Sequence, residues 1–181
     1  WGICERYGRD TLTACERYDV DSVVRGEAED IEVCAVWADV KKTAVFECGN
    51  QNLNWLFDTF LHTQLCNMHN GIPSDCPHIE RRGYTGDGQL VCRTVMRTLG
   101  AEAFYRKWMG DIALEQGKDG SVLGVVPAAT PRPTRASAAW GDVACIAPWQ
   151  IYLAYGNRKL LKENFPMMKK WVDYLHSAGP E

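Results

Sequence analysis

Three carboxylates, those of Asp75, Glu80 and Asp87, are crowded into one short stretch of the sequence. We call residues 74–87 the acidic loop. Negative charge near a carboxyl group disfavours its ionisation, so such a cluster can keep one member protonated and able to donate a proton. The composition therefore favours acid chemistry, and a polar loop without a chemical role is the simpler alternative.

The local sequence predicts that this stretch is a loop followed by a helix. Pro77 and Gly83 both oppose one continuous helix. Residues 85–87 have the composition of a tight turn, in which Asp87 would cap a helix that begins near Gln89. The three carboxylates would then line one concave surface at the mouth of that helix.

Helical spacing of apolar residues predicts five helices, in antiparallel pairs that match the opening half of a barrel of helical hairpins. We expect Asn50 or Asn52 to cap the first helix, Asp142 to cap the fourth, and Pro166 to occupy the first turn of the fifth. Residues 121–139 show no period and predict a long loop that is either functional or disordered. The apolar stripes are Leu53, Leu56, Phe57, Phe60, Leu61, Leu65 and Met68; Leu90, Val91, Val95, Met96 and Leu99; Phe104, Tyr105, Trp108, Ile112 and Leu114; Ile146, Trp149, Ile151, Tyr152 and Tyr155; and Met167, Met168, Trp171, Val172 and Leu175.

The first 45 residues differ from the rest. Short β-branched runs at 19–24 and 31–37 alternate with glycine and charged residues, which is typical of strands and turns. Two or three strands do not form a sheet with a buried face on their own. We therefore expect residues 1–45 to be a β-rich lead-in to a helical domain at 46–181, with a flexible lead-in over 1–30 as the alternative.

Composition narrows the classes of protein further. A chain of 181 residues with 46% apolar residues is long enough to bury a core. The net charge is −3 without a basic run, which argues against a nucleic acid partner, and no apolar run reaches the length of a membrane span. The eight cysteines lack the dense spacing of a disulfide scaffold, so we expect most to be reduced and buried. No compartment is assigned, because Trp1 is not preceded by a methionine.

The acidic loop resembles that of the α-L-rhamnosidases of glycoside hydrolase family 78, whose pattern is D-C-P-x-R-E-x-x-G-W-T-G-D. The matching residues are the run from Asp75 to Pro77, then Glu80, then the run from Gly83 to Gln89. Further similarity covers roughly residues 45–178. It includes 46–50 (F-E-C-G-N), Leu53-Asn54, 140–142 (W-G-D), Pro148-Trp149, 155–157 (Y-G-N) and 171–175 (W-V-D-Y-L).

Two positions depart from the pattern. Ile79 stands where the family has Arg, and Tyr84 stands where it has Trp, so the chain resembles a divergent branch. Tyrosine still offers an aromatic face to a sugar ring, whereas isoleucine cannot replace a bidentate guanidinium donor. The departures bear on the identity of the sugar more than on the type of reaction.

The resemblance implies a mainly α fold, with 46–181 forming the N-terminal half of an (α/α)6 six-hairpin domain. Residues 1–45 would be the end of a β-sandwich domain. It further implies inverting hydrolysis of terminal α-L-rhamnosyl linkages in rhamnose-containing glycosides. Glu80 falls on the general acid, and Asp75 and Asp87 fall on acids that hold sugar hydroxyls.

Three more residues are candidates for substrate binding. Tyr84 and Trp140 would stack on sugar, and Asp142 would accept a sugar hydrogen bond. Packing of Trp140 in the core and simple N-capping by Asp142 are the alternatives.

No cofactor is expected. Two cysteines and two histidines, Cys66, His69, Cys76 and His78, fit no common zinc spacing, so no metal is expected either.

Other functions remain open at this stage. A non-catalytic carbohydrate-binding remnant of the same fold is one, with Ile79 in its favour, and a six-hairpin glycosidase for a different sugar is another. We expect the general base to lie beyond Glu181 and the 181-residue chain alone to be inactive. The rest of the catalytic domain, or a second copy, should cover apolar helix faces that half a barrel leaves exposed.

Overall fold

Helices make up most of the computed structural model, which describes residues 37–69, 71–76, 79–128 and 136–179. The β-rich segment predicted over residues 1–45 lies almost wholly outside the described residues. Within the described ranges the helices are α1 (Gln51–Cys66), α2 (Thr85–Thr98), α3 (Glu102–Glu115), α4 (Ala138–Gly141), α5 (Val143–Tyr155) and α6 (Arg158–Ala178). Two short strands, β1 (Met68–His69) and β2 (Ile72–Pro73), form an antiparallel hairpin after α1. None of the described helices is both long and apolar enough to cross a membrane.

Helix α1 begins at the predicted cap, because the side chain of Asn50 accepts a hydrogen bond from the Asn52 N–H at 3.0 Å. The prediction that its whole apolar stripe is core was wrong. Leu53 and Leu56 are 47% and 56% exposed, and only the C-terminal part of the stripe is buried. Met68 is buried in β1 rather than in the helix. The β1–β2 hairpin then turns the chain toward the acidic loop.

The capping prediction for Asp142 was wrong. Its backbone is helical, its side chain makes no cap hydrogen bond, and its Oδ1 accepts a hydrogen bond from the indole N–H of Trp171 at 3.0 Å. The placement of Pro166 was also wrong. Asn157 caps α6 by accepting from the Leu160 N–H at 2.9 Å, so the proline lies inside a helix of 21 residues.

The core is built where α5 packs against α2, α3 and α6. Its largest fully buried side chains are aromatic, namely Trp108, Tyr105 and Trp171. The hydroxyl of Tyr155, the last residue of α5, accepts from the Ala101 N–H at 3.2 Å and lies 3.2 Å from the Leu99 carbonyl oxygen. One side chain thereby fastens the end of α5 to the turn between α2 and α3.

Part of the stretch predicted as a featureless loop is core. Val122, Val125 and Val126 are buried, although residues 121–139 show no helical or strand period.

The prediction that most cysteines are reduced and buried holds for the absence of disulfides but not for burial. None of the described cysteines is in a disulfide, but only Cys92 is fully buried; the others are Cys48, Cys66, Cys76 and Cys145.

Candidate functional site

The acidic loop closes on itself through hydrogen bonds. The Asp75 N–H donates to the Arg82 carbonyl and the Arg82 N–H donates back to Asp75 Oδ1, both at 3.1 Å. The Cys76 thiol donates to Asp75 Oδ2 at 3.2 Å, and the Glu80 N–H donates to the Cys76 sulfur at 3.3 Å. Both oxygens of Asp75 are therefore held inside the loop, and the backbone of Glu80 is tied to the same network.

The exit of the loop is fixed to a segment about forty residues later in the chain. The Val126 N–H donates to the Gly83 carbonyl at 2.9 Å, and the Thr85 N–H donates to the Gly124 carbonyl at 3.0 Å. The Val126 carbonyl also accepts from the buried indole N–H of Trp108 at 2.9 Å. A Cβ at position 83 would lie 2.2 Å from that carbonyl oxygen, so only glycine fits.

Asp87 lies in the first turn of α2, which begins at Thr85 rather than near Gln89. The capping prediction for Asp87 was therefore wrong, because the residue is inside the helix. Burial raises the pKa of its carboxyl group, and the charges of Asp75 and Glu80 raise it further. The negative charges of Asp75 and Glu80 therefore lie near enough to act on the Asp87 carboxyl group.

Tyr84, one of the two predicted aromatic sugar-binding residues, contacts Glu80 of the acidic loop. A hydrogen bond of its hydroxyl with Glu80 is the largest cause that raises the pKa of Tyr84, followed by burial. The Glu80 side chain is exposed. Arg81, the next residue, has φ 53, a left-handed conformation that is uncommon outside glycine. The loop therefore presents Glu80 at a tightly bent point.

Trp140 packs against the start of α2. A Cβ at Gly86 would lie 2.9 Å from the indole nitrogen of Trp140, so the absence of a side chain at Gly86 makes room for the ring. The ring stays 40% exposed. The side-chain amide of Gln89 donates to the Ala139 carbonyl, beside Trp140, and its own oxygen is buried with no hydrogen-bond partner among the described residues. Sequence analysis missed Gly86 and Gln89 in this role, because their partner is distant in the chain.

Asp142 is not joined to the acidic loop by any hydrogen bond of the described residues. Its contact with Trp171 faces α6, and the carboxylate contributes to a raised pKa of the Cys145 thiol, whose main cause is burial. The structure thus brings Asp75, Glu80, Tyr84 and Asp87 together, seats Trp140 on the same helix end, and gives Asp142 a partner elsewhere.

A small, open pocket of about 140 Å3 borders two of the acids, Asp75 and Asp87. Its other walls come from α1, the β1–β2 hairpin, α2 and α3, and include the apolar side chains of Leu90, Val91 and Val95. Such a mixture of apolar walls and a few acids is common in sites for small ligands. Among the residues that the structure describes, no group of three or more His, Cys, Asp or Glu is placed to hold a metal ion, and His78 lies outside them.

Comparison with known proteins assigns the chain to a family. Residues 41–181 match the model of the bacterial alpha-L-rhamnosidase 6 hairpin glycosidase domain. An alpha-L-rhamnosidase of Formosa agariphila is 34% identical over 143 residues, which is 78% of this chain and 15% of that protein. One from Streptomyces avermitilis is 34% identical over 140 residues, or 76% of this chain and 13% of that protein. The chain therefore spans only a small part of these relatives.

Solved structures agree with this assignment. The Streptomyces avermitilis alpha-L-rhamnosidase complexed with L-rhamnose has a TM-score of 0.75 at 31% identity, over 80% of this chain and 14% of that one. The alpha-L-rhamnosidase from Dictyoglumus thermophilum gives 0.74 at 31% identity, over 81% and 16%. These neighbours confirm the predicted fold class, a mainly α part of an (α/α)6 six-hairpin glycosidase barrel. The chain belongs to the bacterial α-L-rhamnosidase six-hairpin glycosidase family.

Proposed function

We propose that this chain is part of a larger glycoside hydrolase that removes terminal α-L-rhamnosyl groups by an inverting mechanism. In this proposal residues 46–181 form the N-terminal half of its barrel domain and residues 1–45 end the preceding domain. The observation that carries the proposal is the cluster of Asp75, Glu80 and Asp87 at the start of α2, in which the charges of the first two raise the pKa of the third. Family membership supplies the class of substrate.

Glu80 is the general acid of the proposal. It is the exposed member of the cluster, so its carboxyl group is free to approach the oxygen of a glycosidic bond. The hydroxyl of Tyr84 is hydrogen-bonded to it and orients it. Proton transfer to the leaving oxygen then relieves the charge that develops as the bond breaks.

The other acids and the aromatic rings hold the sugar. Asp75 and Asp87 accept hydrogen bonds from sugar hydroxyls, using lone pairs that the loop leaves available, while Tyr84 and Trp140 offer ring faces. Asp142 is the least supported of these binding residues, because its described hydrogen bond holds Trp171. The base that activates water comes from another part of the enzyme, about 6.5–9.5 Å from the acid, so that a water molecule fits between base and sugar.

The test replaces Glu80 with glutamine in the complete enzyme. Glu80→Gln should lose about 100-fold or more in kcat on rhamnosides with poor leaving groups, since general acid catalysis contributes at least that much. The loss should be much smaller on activated aryl rhamnosides, whose leaving groups need little protonation. Glu163→Gln is the matched control, because Glu163 is half exposed on α6 and pairs weakly with Lys159 at 3.8 Å. Near-normal turnover by Glu80→Gln on both substrates would defeat the assignment.

A second measurement addresses stereochemistry. Proton NMR of the first sugar released should show β-L-rhamnose before mutarotation, because inversion at an α-linkage gives the β-anomer. Initial release of the α-anomer would reject the inverting mechanism while leaving the glycosidase assignment intact.

One observation favours a non-catalytic alternative. Ile79, next to Glu80, is 66% exposed and supplies no donor where the resembled pattern has Arg. The alternative is a remnant that binds carbohydrate without cleaving it. Saturable binding of L-rhamnose by the complete protein, without turnover of any rhamnoside, would select it.

A further inference from the structure

We infer that Cys76 is a positioning residue for Glu80, an inference that rests on the proposed function. Its sulfur lies between two members of the acidic cluster, accepting the Glu80 N–H at 3.3 Å and donating its proton to Asp75 Oδ2 at 3.2 Å. A thiol has one proton and sulfur lone pairs, so the two roles are compatible. Cys76 therefore links the backbone of the acid to the neighbouring carboxylate.

The link continues across the loop. Asp75 Oδ1 accepts from the Arg82 N–H at 3.1 Å, so the carboxylate is held on one oxygen by Cys76 and on the other by Arg82. Asp75 in turn fixes Cys76, and Cys76 fixes the amide of Glu80. This chain of three hydrogen bonds spans the loop and determines how far the acid stands from Asp75.

Glu80 needs such support because of where it lies. Its side chain is exposed rather than buried in the core, and the residue after it has the left-handed φ of 53, an uncommon conformation that the surrounding structure must hold. The sulfur bond acts on the main chain at the acid itself. Loss of that bond would let the carboxyl group drift from the leaving oxygen, and misplacement by a fraction of an ångström is enough to slow proton transfer.

The experiment compares Cys76→Ala, Cys76→Val and Cys76→Ser in the complete enzyme. Alanine removes both hydrogen bonds, valine removes them while filling the space of the thiol, and serine keeps one donor and one acceptor. On a rhamnoside with a poor leaving group we expect alanine and valine to lower kcat about tenfold, a fraction of the whole acid contribution. KM should change less than about twofold, because sugar binding is retained. Serine should recover most of the lost rate.

Leaving-group dependence separates positioning from a merely structural role. On an activated aryl rhamnoside the alanine and valine variants should be close to wild type, whereas a general loss of folded protein would lower both rates equally. Cys48→Ala is the control, since Cys48 is another partly exposed free thiol, whose sulfur donates to the Asn50 carbonyl at 3.4 Å, away from the acidic loop. If Cys76→Ala does not fold, the comparison of kcat between Cys76→Val and Cys76→Ser tests the inference.

Three results would overturn the inference. They are wild-type kcat in the valine variant, equal losses on both substrates, and a serine variant no better than valine. These outcomes differ from failure of the proposed function, which is seen when Glu80→Gln itself retains activity. Activity lost in Glu80→Gln but kept in Cys76→Val would leave Glu80 as the acid and remove Cys76 from its support.

Discussion

Gly88→Ala is expected to destabilise the support of the acidic loop. Gly88 lies in α2, where a Cβ would sit 2.3 Å from Cη2 of Trp108 and 2.7 Å from Cγ of Pro73. Trp108 is fully buried, so its ring cannot swing into solvent. Its indole N–H donates to the Val126 carbonyl, which belongs to the segment that pairs with the exit of the loop.

The magnitude follows from these contacts. Normal van der Waals contact requires the ring to move by about 1 Å, and overpacking of this kind costs about 1–3 kcal/mol in cores. Loss of the Trp108 hydrogen bond adds about 1 kcal/mol. Alanine stabilises a helix interior by about 1 kcal/mol relative to glycine, which offsets part of the loss. The net decrease in the free energy of unfolding is then about 1–3 kcal/mol.

Gly110→Ala is the matched control. Gly110 lies in α3, and a Cβ there would meet nothing within 4 Å, so this variant gains the helix propensity without the clash. Urea unfolding of the full chain, followed by tryptophan fluorescence, should show Gly110→Ala up to about 1 kcal/mol more stable than wild type and Gly88→Ala less stable. Equal stabilisation by the two substitutions would refute tight packing of Trp108 on Gly88.

Two further predictions concern single groups. Tyr155→Phe should lower the free energy of unfolding by about 1 kcal/mol in the same urea assay, because the hydroxyl that joins α5 to the Ala101 N–H is lost, while that N–H keeps its 2.8 Å bond to the Leu99 carbonyl. A variant as stable as wild type would show that this hydroxyl is not needed to join the helices. Asp87→Asn should raise the thermal midpoint at pH 7, since the raised pKa of Asp87 means that its ionisation disfavours the folded state. The gain should shrink as the pH falls and vanish below the ordinary value of 3.8, where the carboxyl group is neutral folded or unfolded, and a gain that grows toward acid would contradict the sign.

Local signals in the sequence predicted the helices well. Asn50 does cap α1, as predicted. The residue after α5 is Gly156, whose φ of 67 is a common helix end for glycine. Both features depend on residues within one helical turn of the helix end. Periodicity and caps carry this information without knowledge of the rest of the fold.

The predictions of helix caps were wrong where the side chain or the helix start is held by a residue distant in the chain. Asp142 looks like a helix cap, but the indole of Trp171 on α6 takes its carboxylate instead. Asp87 looks like a cap, but α2 starts earlier because Thr85 is held by the Gly124 carbonyl. Pairings across such separations leave no local trace in composition or period.

The candidate site also has a part that the local sequence predicts and a part that depends on tertiary packing. The residues of the acidic loop were predicted from a local pattern and a family resemblance, and the hydrogen bonds between residues of the loop itself connect positions at most seven apart. Their roles in catalysis remain predictions. The support of the loop by Trp108 and Val126, and the seat of Trp140, depend on tertiary packing that the sequence does not display.

The seat of Trp140 on Gly86 has a consequence for how this site can change during evolution. A side chain at 86 would displace the indole ring, since even a Cβ would stand 2.9 Å from its nitrogen. A larger residue at 86 is therefore compatible with the fold only if position 140 carries a smaller ring or none. We therefore expect the two positions to vary together, because a smaller side chain at 140 would leave room for a side chain at 86.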